Sequence, residues 1–212
     1  MISVILEIIS NLILAVIGKI GYLGVFFLML LQSFNVPIPS EITMPFSGFL
    51  AQRGVFNFWL VVSVGAFANL IGALLSYRLA SFLGRDEIRN KYGILKILIS
   101  DRGLGLAQEW FQKYGAASVF FSRLMPVVST FISFPAGLAK MRISVFSVLT
   151  FSGSFIWCLF LTYLGFVFGE NWQVLQVYFR KFDYLILILI LAAVGWWIFS
   201  YFNSRNKMNR GL

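Results

Sequence analysis

Asn35-Val-Pro-Ile-Pro-Ser-Glu-Ile-Thr-Met-Pro-Phe-Ser-Gly48 is the stretch on which the fold turns. It follows an apolar run, residues 20–34, long enough to enter a bilayer, and places three prolines and a carboxylate where a spanning helix would continue. Pro37 and Pro39 have no N–H and crowd the turn before them, so the helix is expected to end near Asn35. Residues 42–51 are apolar again. Two apolar limbs around a proline-broken turn read as a re-entrant hairpin over 22–53. Such open backbone is tolerated at membrane depth only where protein or a water-filled cavity satisfies it. Glu41 lies in the turn, where a charge costs roughly 2.5–3.5 kcal/mol on insertion scales.

A second copy lies downstream. Arg123-Leu-Met-Pro126 opens a segment that runs through Pro135 to Gly137 and ends in Leu-Ala-Lys140. Pro37 to Gly48 and Pro126 to Gly137 are both steps of eleven residues at an offset of 89, and Phe58 and Gly65 recur as Phe146 and Gly153 at an offset of 88. Broken segments in matching places of two halves point to a transport site at the repeat interface. The expected fold is therefore all-α: a polytopic membrane protein, an inverted repeat with two opposed re-entrant hairpins plus spanning and interfacial helices.

Composition agrees. Of 212 residues, 59% are apolar and 12% charged, against about 25% charged in soluble domains. One domain is expected for this length. The single cysteine, Cys158, sits in an apolar run and rules out an internal disulfide framework. There is no histidine, which removes the zinc motifs, the Ser-His-Asp triad and the commonest proton shuttle. No catalytic residue, metal or cofactor is assigned, and the chain is not expected to be an enzyme. The net charge of +9 fits the positive-inside rule and anionic head groups better than nucleic acid, for which no compact basic run interleaved with aromatics is present.

Taken in order, residues 1–18 read as a retained helix, spanning or interfacial, since they lack a basic leader and a small-x-small cleavage site. The first repeat covers about 20–84. Within it residues 54–77 are uncharged and long enough to span, with Gly65, Ala68, Gly72 and Ala73 permitting close packing and Asn69 as a buried amide needing a partner. Residues 85–113 form a polar, amphipathic middle. The second repeat covers about 114–172, with its hairpin over 114–140 and an uncharged span from 143 to 169 that Glu170 and Asn171 are expected to cap. A last transmembrane helix follows over 184–204, then a basic tail over 205–212. With the tail in the cytoplasm the middle is cytoplasmic too, and twelve of the seventeen basic residues fall on that side. The first hairpin then enters from outside and the second from the cytoplasm.

Glu41 and Arg123 are the ionisable residues placed inside the membrane, one beside each broken turn. Such residues are functional hypotheses by default, against a structural ion pair. A desolvated carboxylate favours its neutral form and a nearby arginine its charged form, so Glu41 is a candidate gate that exchanges protons. Arg123 offers a planar fork of donors suited to phosphate.

Pro-Ser-Glu-Ile with Pro-Phe-Ser-Gly-Phe-Leu-Ala, and Phe-Ser-Arg-Leu-Met-Pro with Phe-Pro-Ala-Gly-Leu-Ala-Lys-Met, resemble the two signature segments of the DedA family, the SNARE-associated or VTT domain. The resemblance covers roughly residues 20–172. It implies lipid transporters of the bacterial or archaeal cytoplasmic membrane with opposed hairpins, linked to undecaprenyl phosphate recycling, phospholipid translocation and the proton motive force. Glu41 and Arg123 match the family's acidic and first basic positions. Many members carry a further arginine six residues after the first; here that position is Ser129, followed by Thr130, and Gln52-Arg53 stands where an acidic residue is often found. Arg53 is a candidate to compensate, and Ser129, Thr130 and Asn69 are weaker candidates for polar lining.

The expectation is thus a flippase- or scramblase-type carrier of a phosphate-bearing lipid. Membrane lipids and possible protons are its partners, a homo-oligomer is left open, and nucleic acid is excluded. The competing readings are a proton-coupled ion or small-molecule antiporter and a non-transporting membrane organising factor.

Overall fold

The computed structural model describes residues 2–36, 38–84, 109, 111 and 114–171. Most of the middle expected over 85–113, the span over 184–204 and the tail over 205–212 lie outside the described residues. The chain divides into two compact units, Met1–Gln173 and Val174–Leu212, and the helices delimited below belong to the first.

Eight α-helices are delimited among the described residues: α1 (Ile2–Ile20), α2 (Tyr22–Ser33), α3 (Ser40–Gln52), α4 (Phe58–Leu83), α5 (Ala117–Arg123), α6 (Pro126–Phe131), α7 (Ser133–Leu138) and α8 (Ile143–Phe168). No strand occurs among these residues. The class is all-α.

The breaks follow from local chemistry. After α2 the chain turns through Asn35 at φ 72, a left-handed conformation that asparagine tolerates better than most residues. Pro39 then stands extended before the first turn of α3. Between α5 and α6, Met125 is extended before Pro126, as the residue preceding proline prefers. The second broken segment, read in the sequence as one hairpin, is three short helices, because Pro126 opens the second and Pro135 cannot donate to the Phe131 carbonyl four residues back, which breaks the ladder at Ile132.

The long helices differ from expectation at their ends. α4 starts four residues later than residue 54, where Asn57 accepts from Leu60 N at 3.1 Å and caps the helix. It continues past Arg78 to Leu83, since no glycine or proline intervenes before Gly84. α8 is not capped by Glu170 and Asn171: Gly169 takes φ 53 and stops it, and those two residues lie in a 3-10 turn.

Packing is reciprocal between the halves. α2 packs on α4 and α5 on α8, whereas α3 crosses to α8 and α7 crosses to α4; α4 and α8 pack on each other. Gly48 of α3 and Gly137 of α7 occupy matching places: a Cβ on the first would strike the Thr162 carbonyl of α8, and on the second the Tyr77 carbonyl of α4. At the α4–α8 crossing, Asn69 donates to Cys158 Sγ at 3.8 Å across a separation of 89 residues, the repeat offset itself.

The outside is apolar and the inside partly polar. Leu23, Phe27, Trp59, Phe67, Phe121, Val148 and Tyr163 are exposed, while many hydroxyls, Glu41 and Arg123 are buried. α4 and α8 have 26 residues each and are apolar enough to cross a membrane; at 1.5 Å per residue each is about 39 Å long, against a hydrocarbon core of ~30 Å.

Candidate functional site

Arg123 ends α5 and is 2% exposed. Its Nη1 donates to Ser33 Oγ at 3.3 Å and to the Ser129 carbonyl at 3.0 Å, and Nη2 donates to Ser133 Oγ at 2.7 Å. The guanidinium is thereby clamped between the end of α2 and the start of α7, by neutral oxygens. Nε has no hydrogen-bond partner. Of the five N–H bonds of a guanidinium, three are used, and the buried Nε–H is not among them. Gly153 makes room for the side chain: a Cβ there would lie 2.8 Å from Arg123 Cβ.

The first broken segment supplies the facing polar groups. Gln32 Nε2 donates to Ser40 Oγ at 3.3 Å, and Trp157 Nε1 of α8 reaches the same hydroxyl at 3.4 Å. Ser76 Oγ of α4 donates to Asn35 Oδ1. Glu41, beside Ser40 in the first turn of α3, is 5% exposed. Pro45 cannot donate the helical bond to the Glu41 carbonyl four residues back. Ser40, next to Glu41 in the chain, is bonded to Gln32, and Ser33, next to Gln32, is bonded to Arg123.

The sequence candidates separate accordingly. Arg123 is bonded to Ser129 through the latter's carbonyl, and Thr130 is buried next to it. Glu41 belongs to the same polar interior. Asn69 lies at the helix crossing, bonded to Cys158, and not at the guanidinium. Arg53 is exposed at the far end of α3, with its guanidinium 5.3 Å from the Phe49 ring centroid; a helical rise of 1.5 Å per residue puts it about 18 Å along from Glu41. The geometry does not bring Arg53 to Arg123.

Ser33, Ser133, Gln32, Ser40 and Trp157 surround the candidate site and were not among the residues singled out from the sequence. They are unremarkable in type and gain their place at the site only from packing.

On the outside, Phe58 and Trp59 of α4 with Ile156, Phe160, Tyr163 and Phe166 of α8 line an apolar groove of about 630 Å³. Trp157, whose ring lies 5.8 Å from Phe160, stands between this groove and Ser40. Among the described residues no three His, Cys, Asp or Glu side chains form a group that could hold a metal.

The VTT domain family model matches residues 38–167. The Bacillus subtilis protein named undecaprenyl phosphate transporter A is 31% identical over 183 residues, covering 86% of this chain and 89% of that one. Its Staphylococcus aureus namesake is 26% identical over 195 residues, covering 91% and 96%. A Lactococcus lactis subsp. lactis protein named alkaline phosphatase-like protein is 29% identical over 208 residues, covering 93% and 96%. No solved structure matches the chain.

Proposed function

Because this chain belongs to the VTT-domain (DedA) family of integral membrane proteins, we propose that it carries a phosphate-bearing lipid, undecaprenyl phosphate or a phospholipid, across the membrane. The observation that carries the reading is the Arg123 guanidinium, buried among neutral oxygens with its Nε–H unpaired. A buried charge is costly unless an opposite charge and hydrogen bonds compensate it. A phosphate group supplies both, and its oxygens suit the planar edge of a guanidinium. The relatives named undecaprenyl phosphate transporter support the same ligand class.

Glu41 is the gate in this proposal. Its carboxylate would repel a phosphate when charged and admit one when protonated, which couples passage to protons. The two broken segments, 22–53 and 114–140, are re-entrant hairpins entering from outside and from the cytoplasm, with the C-terminus cytoplasmic. The reciprocal packing of α3 on α8 and α7 on α4 supports that arrangement. With Ser129 where a second arginine often stands, one guanidinium carries the phosphate, which suits a zwitterionic phospholipid as well as a phosphomonoester.

Retained lipid tests the binding step. Purified wild-type protein, ionised from detergent in native mass spectrometry, should carry a phosphate-bearing lipid that Arg123→Ala loses and Glu41→Gln keeps. Equal retention by wild type and Arg123→Ala would remove Arg123 as the phosphate anchor.

A further inference from the structure

Thr150, Ser154, Cys158 and Thr162 recur every four residues on α8 and so share one face of it. All are buried, at 0–2% exposure. The hydroxyls of Thr150, Ser154 and Thr162 have no hydrogen-bond partner, although buried polar groups in folded proteins nearly always have one.

Two comparisons within the molecule set these three apart. Ser147, on the same helix, donates to the Ile143 carbonyl at 2.7 Å, and buried Ser47 of α3 donates to the Thr43 carbonyl at 2.8 Å. The bond back to the preceding turn is thus available to exposed and buried hydroxyls alike, and the three on α8 do not take it. The repeat supplies the second comparison. At offsets of 88 or 89, the counterparts on α4 are Val62, Ala66 and Leu74 or Val61, Gly65 and Ala73. Packing at those places is met without a hydroxyl.

The stripe connects the two broken segments. Gly153, adjacent to Ser154, lies against the Arg123 side chain, and Thr162 meets Gly48 of α3 through its carbonyl. From Thr150 to Thr162 the helix rises about 18 Å, more than half of a ~30 Å hydrocarbon core. Gln32 Oε1 and Arg123 Nε are further buried polar atoms without a partner.

We propose that Thr150, Ser154 and Thr162 are positioning residues for a hydrated phosphate headgroup. Their hydroxyls hydrogen-bond its oxygens and accompanying water in succession between Arg123 and α3. The inference rests on the lipid-carrier reading. The path is closed in this conformation, since the three hydroxyls are inaccessible and Cys158 between them is bonded to Asn69 of α4, and it opens as α3, α4 and α5 shift against α8.

The test separates hydration from transport. In a Cys158→Ala background, Thr150→Cys, Ser154→Cys and Thr162→Cys would be treated in membrane vesicles with a small charged methanethiosulfonate, with exposed Tyr163→Cys as the lipid-facing control. Such reagents need a thiolate, which forms in water and not in lipid. The three buried positions should react at least tenfold faster than the control, and added undecaprenyl phosphate should slow them. In proteoliposomes, Thr150→Val/Ser154→Ala/Thr162→Val should lower lipid translocation about tenfold with thermal stability unchanged or raised. Reaction no faster than Tyr163→Cys, or translocation by the triple variant at the wild-type rate, would overturn the path even where wild type transports. Rapid reaction in a wild-type protein that moves no lipid would overturn the carrier reading, and with it the headgroup, leaving only water along α8.

Discussion

Three neutral oxygens hold the Arg123 guanidinium, and none supplies the negative charge it lacks. Two predictions belong to this scale. Arg123→Lys keeps the charge and loses the fork, so lipid translocation should fall on the order of tenfold, the loss of one charge-assisted hydrogen bond. Ser33→Ala and Ser133→Ala each remove one clamp, and thermal unfolding in detergent should show a loss of about 1 kcal/mol apiece. Glu41 and Arg123 were legible in the sequence because a charge inside an apolar run is conspicuous. Ser33 and Ser133 were not, because serine is ordinary in any context and only the meeting of α2, α5 and α7 gives these two a partner.

Among the helices, the closest approaches are made where glycine removes a side chain. A Cβ on Gly48 would strike the Thr162 carbonyl, and one on Gly165 would strike the Pro45 carbonyl, so α3 and α8 meet backbone to backbone. Gly48→Ala and Gly165→Ala should each destabilise the protein by about 3 kcal/mol or more, at the upper end of overpacking, because backbone has to move. Gly18→Ala, inside α1 with nothing within 4 Å of the added methyl, should instead be stabilising by about 0.5–1 kcal/mol. Thermal melts of the three variants side by side would check the contrast; equal losses in all three would contradict the packing described. Proline made the breaks after α2 and before α6 readable from sequence. The division of residues 114–140 into three helices was harder to read, because Pro135 withholds only the one bond to the Phe131 carbonyl while Ile132 keeps a helical φ and ψ. The end of α8 was legible to within a residue but its cap was not: acidic and amide residues look like caps, yet the positive φ of Gly169 acts first.

At the scale of the molecule, the packing among the described residues is crossed, with α3 resting on α8 and α7 resting on α4. The crossing itself was hidden in the sequence, since spacing reveals that two segments are alike but not which helix each will meet. The proposed opposed entry of the hairpins makes a sidedness prediction. In a Cys158→Ala background, Val55→Cys beyond α3 should react with an impermeant maleimide added outside cells. Lys140→Cys beyond α7 should react only in inside-out vesicles. Both positions are exposed, so labelling of both from one side would refute the opposed arrangement.

Lipid translocation in proteoliposomes tests the central claim most directly. Undecaprenyl phosphate and phosphatidylethanolamine would be followed with and without a pH gradient, for wild type, Glu41→Gln and Arg123→Ala. Wild type should move at least one of these lipids, and faster under the gradient. Both substitutions should abolish that movement in protein that is still folded and inserted. Wild type that moves neither lipid under any gradient, or Arg123→Ala that moves lipid as fast as wild type, would contradict a carrier anchored on Arg123.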